Sequence, residues 1–180
     1  MSIARTEIIK NSLPVALSYI TLGLTFGALF SAKGGSPLEA LIISVFCFAG
    51  AAQFIALEFY GNNFSFTYLF IAVFICNVRH VFYGLSFLQK WSGWKKIYLF
   101  SALTDENLGI SYHYINRSLR ENDWLMVYGL NHSYWIIGCV VGSLVPISNL
   151  DSIKGFSFAL VAMFISILCN LLKQERTKDE

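Results

Sequence analysis

The chain has 180 residues, of which 56% are hydrophobic and 13% charged, and its net charge is +2. That charge fraction is about half of what a water-facing domain carries, which excludes a soluble globular fold. So small a positive balance, with no basic block and no RNA-type aromatic motif, excludes nucleic acid as a partner.

The remaining class is an all-α, polytopic helical membrane protein, because the few charges lie between long apolar runs. Arg5 and Lys10 precede an apolar run too long for the roughly 7–15 residues of a signal peptide, and no small-x-small cleavage site follows. The run reads as a first spanning helix. In all, about six transmembrane helices are expected, over 13–31, 38–60, 64–88, 97–115, 124–146 and 156–172, forming a single transmembrane domain over 1–180. Each is near the ~20 residues that cross a bilayer at about 1.5 Å per residue. Turn chemistry separates them at Lys33-Gly34-Gly35-Ser36-Pro37, Gly61-Asn62-Asn63, Ser92-Gly93 and Pro146 to Gly155. A β-barrel is excluded, since the runs are continuous rather than alternating.

The first segment carries Gly23 and Gly27 and the fifth Gly138 and Gly142, both at the GxxxG spacing that lets helix backbones approach closely. The two stretches also echo each other. Ser18 to Leu29 aligns with Ser133 to Leu144, sharing Ser, Tyr, both Gly and Leu, and Phe48 to Phe54 echoes Phe158 to Phe164. Either an internal repeat of the kind found in transporters or chance among apolar residues accounts for this. In the second segment, Ala49-Gly50-Ala51-Ala52-Gln53 suits either a broken helix lining a substrate site or plain helix packing.

The third segment contains Asn77-Val78-Arg79-His80 and the fourth Thr104-Asp105-Glu106-Asn107, each inside apolar sequence. A continuous spanning helix does not call for two adjacent acids, and one acid at mid-bilayer costs roughly 2.5–3.5 kcal/mol. If the two segments form a hairpin turning near Ser92, Arg79 and the acids each lie about 20 Å from the turn. Arg79 can then pair with one carboxylate. Residues 105 and 106 point about 100° apart on a helix, so the other acid must face a cavity, a proton or a second partner. The alternative is that Arg79 and one acid only lock two helices together.

His80 reads as a helix-bridging donor, a relay member or a ligand contact, and His132 after Asn131 carries the same ambiguity, while His113 reads as interfacial. Cys47, Cys76, Cys139 and Cys169 all lie in apolar runs and read as small fillers. No His-x-x-x-His, His-Glu-x-x-His or Gly-x-Ser-x-Gly spacing occurs, so no metal, cofactor or catalytic residues are expected. With six straight spans, Arg5, Lys10, Arg117, Arg120, Lys173, Arg176 and Lys178 share one side and Lys33, Lys90, Lys95, Lys96 and Lys154 the other. That is a slight positive-inside vote for cytoplasmic termini, opposed by the lysines of 90–96.

Three motifs in order, Phe48-Ala49-Gly50-Ala51-Ala52-Gln53-Phe54, Asn77 to Ser86 and Leu103-Thr104-Asp105-Glu106, resemble the AzlC family over about Ile8 to Ile167. These are large subunits of bacterial branched-chain amino-acid exporters. The resemblance implies a multi-pass permease of the bacterial cytoplasmic membrane that exports branched-chain amino acids by secondary transport. It also implies a small hydrophobic membrane partner of the AzlD type. Family members usually continue beyond Lys173 to Glu180, so this chain is expected to be a shortened member or a fragment. The resemblance assigns no site residues. The residues themselves point to Arg79, Asp105, Glu106, Asn77, His80 and Gln53 for substrate binding or coupling, and to Gly23, Gly27, Gly50, Gly138 and Gly142 for packing. Two other readings stay open: an intramembrane enzyme using the His, Asp and Glu residues, and a non-transporting interaction subunit.

Overall fold

The computed structural model describes residues 5–60, 65–85, 91, 93–114 and 119–145, without the side chains of 112 and 113. The segment expected over 156–172, the echo at 158–164 and the His113 side chain therefore lie outside the described residues. The described elements are the helices α1 (Arg5–Ala32), α2 (Pro37–Phe46), α3 (Gly50–Phe59), α4 (Phe66–Asn77), α5 (Arg79–Leu85), α6 (Gly93–Ser101), α7 (Asp105–Tyr114) and α8 (Glu121–Ser143). Every described element is thus a helix, in keeping with a helical membrane protein, and α1 and the α4–α5 rod (Phe66–Leu85) are long and apolar enough to cross a bilayer.

The helix over 38–60 is not straight. After α1, Gly34 takes a φ of 91° and Ser36 starts α2: its hydroxyl accepts from the Glu39 N–H at 3.2 Å, and Glu39 accepts from the Ser36 N–H at 2.7 Å. This capping box, with Pro37 following, sets the entry angle. α2 then runs back along α1, so that the carbonyl of Ser44 reaches His132 on α8, 3.0 Å away. α3 reverses again. Phe54 meets Phe26, Tyr60 meets Phe30, and Lys33 at the end of α1 donates to the carbonyl of Leu57 at 2.7 Å. The two short helices form a hairpin whose tip is 47–49, about 15 Å deep at 1.5 Å per residue.

The segment over 97–115 does the same from the opposite end. Lys95 Nζ donates to Asn122 Oδ1 at 2.7 Å, near the start of α8, and α6 rises alongside it. α7 descends, pairing Asn107 with Asn131, Ser111 with Tyr128 and Tyr114 with Asn11. Its tip is 102–104. Over 97–115 the expectation of one continuous helix is corrected, and over 38–60, where Ala49 to Gln53 left a broken helix open, a break is found: each segment folds as two half-helices. At 102–104 the cause lies in local capping, described below.

α1 and α8 run parallel and touch through their glycines. A Cβ on Gly23 would lie 2.9 Å from the carbonyl oxygen of Trp135, and one on Gly138 would lie 2.8 Å from that of Ile20. Gly27 is closed off by the backbone of Cys139, and Gly142 by that of Leu24. In the alignment of the two echoing stretches, Ile20 matches Trp135, Gly23 matches Gly138, Leu24 matches Cys139 and Gly27 matches Gly142. The contacts therefore map onto themselves when the helices are exchanged, as in an isologous interface. Gly50 also serves packing, with the Trp135 ring 3.1 Å from where its Cβ would stand.

Candidate functional site

The α6–α7 tip is written in capping chemistry. Thr104 is the N-cap of α7: its Oγ1 accepts from the Asn107 N–H at 3.3 Å, and its carbonyl accepts from the Leu108 N–H at 2.8 Å. Asn107, fully buried, donates from Nδ2 to the carbonyl of Ala102 at 2.6 Å and so closes the end of α6. Asp105 and Glu106 then occupy the first turn of α7, where the helix dipole and free N–H groups favour negative charge. Local folding does call for acids here, once the helix is broken.

Each carboxylate faces a different neighbour. Arg79 Nη1, at the start of α5, lies 2.8 Å from Asp105 Oδ2, and the Tyr83 hydroxyl donates to Asp105 Oδ1 at 2.5 Å. Glu106 Oε2 accepts from the Tyr19 hydroxyl of α1 at 2.9 Å, and Thr104 Oγ1 lies 2.5 Å from the same hydroxyl oxygen. Tyr19 has one proton to give, so Thr104 donates to it. Among the described residues Glu106 has no cationic partner.

The two hairpin tips are stitched together by residues outside the original candidate set. Tyr19 contacts the Phe48 ring at 5.6 Å as well as Thr104 and Glu106. His132 lies between the carbonyl of Ser44 (3.0 Å) and the Tyr98 hydroxyl (3.3 Å), stacked on Phe48 at 4.3 Å. Asn131 Nδ2 donates to Asn107 Oδ1 at 2.6 Å, linking α8 to the second tip. Thr104 followed by two acids is a helix-start signature legible in the sequence. Tyr19 lies in the echoing stretch and Tyr83 in the Asn77 to Ser86 motif, but neither context gave the tyrosine a role.

Of the six candidate residues, Arg79, Asp105 and Glu106 are gathered at the second tip. Gln53 stands at the first, with Nε2 donating to the carbonyls of Cys47 and Ile43 across the break. Asn77 joins neither group, and His80 touches the second only through the Tyr83 ring, 5.6 Å away. The Asn77 amide bonds back to the carbonyl of Val73 at 2.9 Å, and His80 Nδ1 lies 3.0 Å from the carbonyl of Asn77. Beside Gln53 is a cavity of about 310 Å³ between α1, α2, α3 and α4, with Phe26, Phe30, Cys47, Ala56, Leu57 and Phe70 in its wall.

Comparison with known proteins matches residues 14–146 to the family model described as AzlC protein. A Helicobacter pylori "Uncharacterized membrane protein" is 33% identical over 168 residues, covering 91% of this chain and 74% of the relative. The "Branched-chain amino acid transport protein AzlC" of Bacillus subtilis is 29% identical over 169 residues, covering 92% and 66% respectively. The Escherichia coli "Inner membrane protein YgaZ" is 30% identical over 173 residues, covering 88% and 69%. No solved structure matches at a significant level.

Proposed function

This chain belongs to the AzlC family of transport-associated membrane proteins, and on that premise we propose that it is the large subunit of a secondary exporter of branched-chain amino acids. A small hydrophobic AzlD-type subunit completes the exporter. The reading is carried by one observation: two opposed hairpins of half-helices bring their tips together at Tyr19, within hydrogen-bond reach of Glu106. Transporters place substrate and coupling-ion sites at such interrupted helices, where half-helix ends present dipoles and unpaired backbone groups. In this reading Glu106 carries the coupling proton, while Arg79 holds Asp105 in place and balances its charge.

The hairpins also revise the charge count. Because α2–α3 and α6–α7 each return to the end where they start, Lys95 and Lys96 join Arg5, Lys10 and Arg120 at one end, with Lys33 at the opposite end. By the positive-inside bias the end rich in Lys and Arg faces the cytoplasm. The conflict posed by the 90–96 lysines arose from counting straight spans.

The deciding experiment is efflux of radiolabelled leucine from cells expressing this chain with and without the small subunit. Efflux that needs both proteins and collapses when the proton gradient is dissipated is the expected result. Efflux indifferent to their presence would overturn the proposal.

A further inference from the structure

Two successive residues of α8 each hold one hairpin tip. Asn131 holds the second: its Nδ2 donates to Asn107 Oδ1, and Asn107 closes α6 through the carbonyl of Ala102. His132, about 100° further round the helix, turns to the first. Its Nε2 lies 3.0 Å from the carbonyl of Ser44 and its Nδ1 lies 3.3 Å from the Tyr98 hydroxyl. A carbonyl can only accept, so Nε2 carries the ring proton and Nδ1 accepts from Tyr98. No carboxylate touches the ring among the described residues, and this neutral tautomer satisfies both partners. Among the described residues, no other helix outside the hairpin sends a side chain to bond α2. The His132 ring also lies flat on Phe48, with centroids 4.3 Å and planes 16° apart, and Phe48 meets Tyr19 edge-on at 5.6 Å. Tyr19 in turn donates to Glu106 at 2.9 Å. A line of contacts thus runs from His132 to Glu106 through two buried rings.

We propose that His132 is a positioning residue for the coupling carboxylate: anchored on the Ser44 carbonyl, it packs Phe48 against Tyr19 and so keeps the Tyr19 hydroxyl on Glu106. The inference rests on the exporter reading above and adds a residue to its coupling site. His132 acts as a donor and a flat surface, and it carries no proton through the cycle. The titratable groups that face Glu106 are Tyr19 of α1, its neighbour Asp105, and Tyr83 of α5. The one that faces His132 among the described residues is Tyr98 of α6. The second tip keeps its own tie to α8 through Asn131, so a change at His132 loosens the first tip and leaves the α6–α7 turn closed.

The test is a ratio measured in vesicles holding the full chain and the small subunit: leucine export driven by an imposed pH gradient, divided by export down leucine's own gradient. A variant that merely folds less well lowers both rates together and leaves the ratio unmoved. Glu106→Gln sets its floor. His132→Asn is too short to reach Ser44 and gives up the ring, and it should lower the ratio by about fivefold, the scale of one hydrogen bond. His132→Gln can bring an amide nitrogen to the Ser44 carbonyl and lay its planar amide on Phe48, so it should stay within about twofold of the parent. Phe48→Leu, which removes the ring between His132 and Tyr19, should behave like His132→Asn. Equal ratios for the Asn and Gln variants, or a parental ratio for Phe48→Leu, would overturn the positioning role. A preparation that exports leucine with a ratio indifferent to Glu106→Gln would overturn that role as well and leave the exporter standing. A parent protein that exports no leucine would remove the two together.

Discussion

Asp105 and Glu106 are adjacent in the chain, yet their carboxylates turn to opposite neighbours: Asp105 to Arg79 on α5, Glu106 to Tyr19 on α1. The separation follows from the ~100° between successive helical residues, and it divides the labour. Asp105 is matched by a cation, and Glu106 is held by a hydroxyl, with no cation beside it among the described residues.

The Arg79–Asp105 pair should show strong energetic coupling. Removing one partner of a buried pair costs about 3–5 kcal/mol. The side chains here are 32% and 19% exposed, so solvent screening reduces the expected cost of Arg79→Ala to about 1–3 kcal/mol. Arg79→Ala combined with Asp105→Asn should be more stable than Arg79→Ala alone. Thermal unfolding in detergent closes the double-mutant cycle, and strictly additive losses would show that the pair is not coupled.

Glu106→Gln separates structure from coupling. The amide oxygen still accepts from Tyr19, so stability should change by less than about 0.5 kcal/mol. Leucine export should persist down its own gradient while losing its response to an imposed pH gradient. A variant that still follows the pH gradient like the parent would assign the proton to another group.

Glycines should divide sharply by location. Gly23→Ala and Gly138→Ala drive a methyl into the backbone of the facing helix and should cost about 1–3 kcal/mol as overpacking. Gly109 and Gly129 lie in helices with nothing among the described residues within 4 Å of a Cβ. Alanine there should stabilise by about 0.5–1 kcal/mol through backbone entropy. Unfolding temperatures of the four variants, side by side, decide the matter.

The hairpins make a topological prediction that straight spans contradict. Six straight helices would put Lys33 and Lys95 on the same side of the membrane. The reversal at 47–49 puts them on opposite sides. In a background lacking the native cysteines, Lys33→Cys should react with an impermeant maleimide in intact cells, and Lys95→Cys only after permeabilisation. Equal reactivity of both in intact cells would contradict the hairpins.

At the start of α8, Arg120 supplies a pH test outside the spans. Its side-chain hydrogen bonds, at 3.3 Å from Nε and 3.2 Å from Nη2, hold the Asp123 carboxyl below the usual carboxylate range, with the Arg120 N–H assisting. A group with a lowered folded-state pKa contributes stability above its unfolded value of about 3.9 and loses it as pH falls through the folded value. The stability difference between the parent and Asp123→Asn should therefore be constant near neutrality and vanish at lower pH. The Arg120 side chain is largely exposed, so the difference should also shrink in high salt. Melting curves across pH at two salt concentrations measure both effects.

Much of this arrangement could be read in advance. Low charge and continuous apolar runs required helices in a bilayer, because no other open structure satisfies its backbone there. The approach of Arg79 to Asp105 followed from counting residues on either side of a turn. It survives the breaking of the helix because Asp105 comes immediately after the α6–α7 tip. Gly23, Gly27, Gly138 and Gly142 announced a close helix contact through their spacing. Thr104-Asp105-Glu106 carried a helix-start signature whose meaning was hidden by the apolar residues on both sides. The first tip was harder to see, since Ala49 caps nothing and the break is held by Gln53 reaching back to Cys47.

Composition and spacing thus settled the solvent and the element type, both of which depend on local hydrophobicity and helical rise. They did not settle direction. An apolar run of ~20 residues satisfies its backbone equally well as one rod or as two short helices folded back. The choice falls to distant partners: His132 taking the free carbonyl of Ser44, Asn131 holding Asn107, and Tyr19 touching both tips. Those contacts join residues far apart in the chain, and no local pattern encodes them.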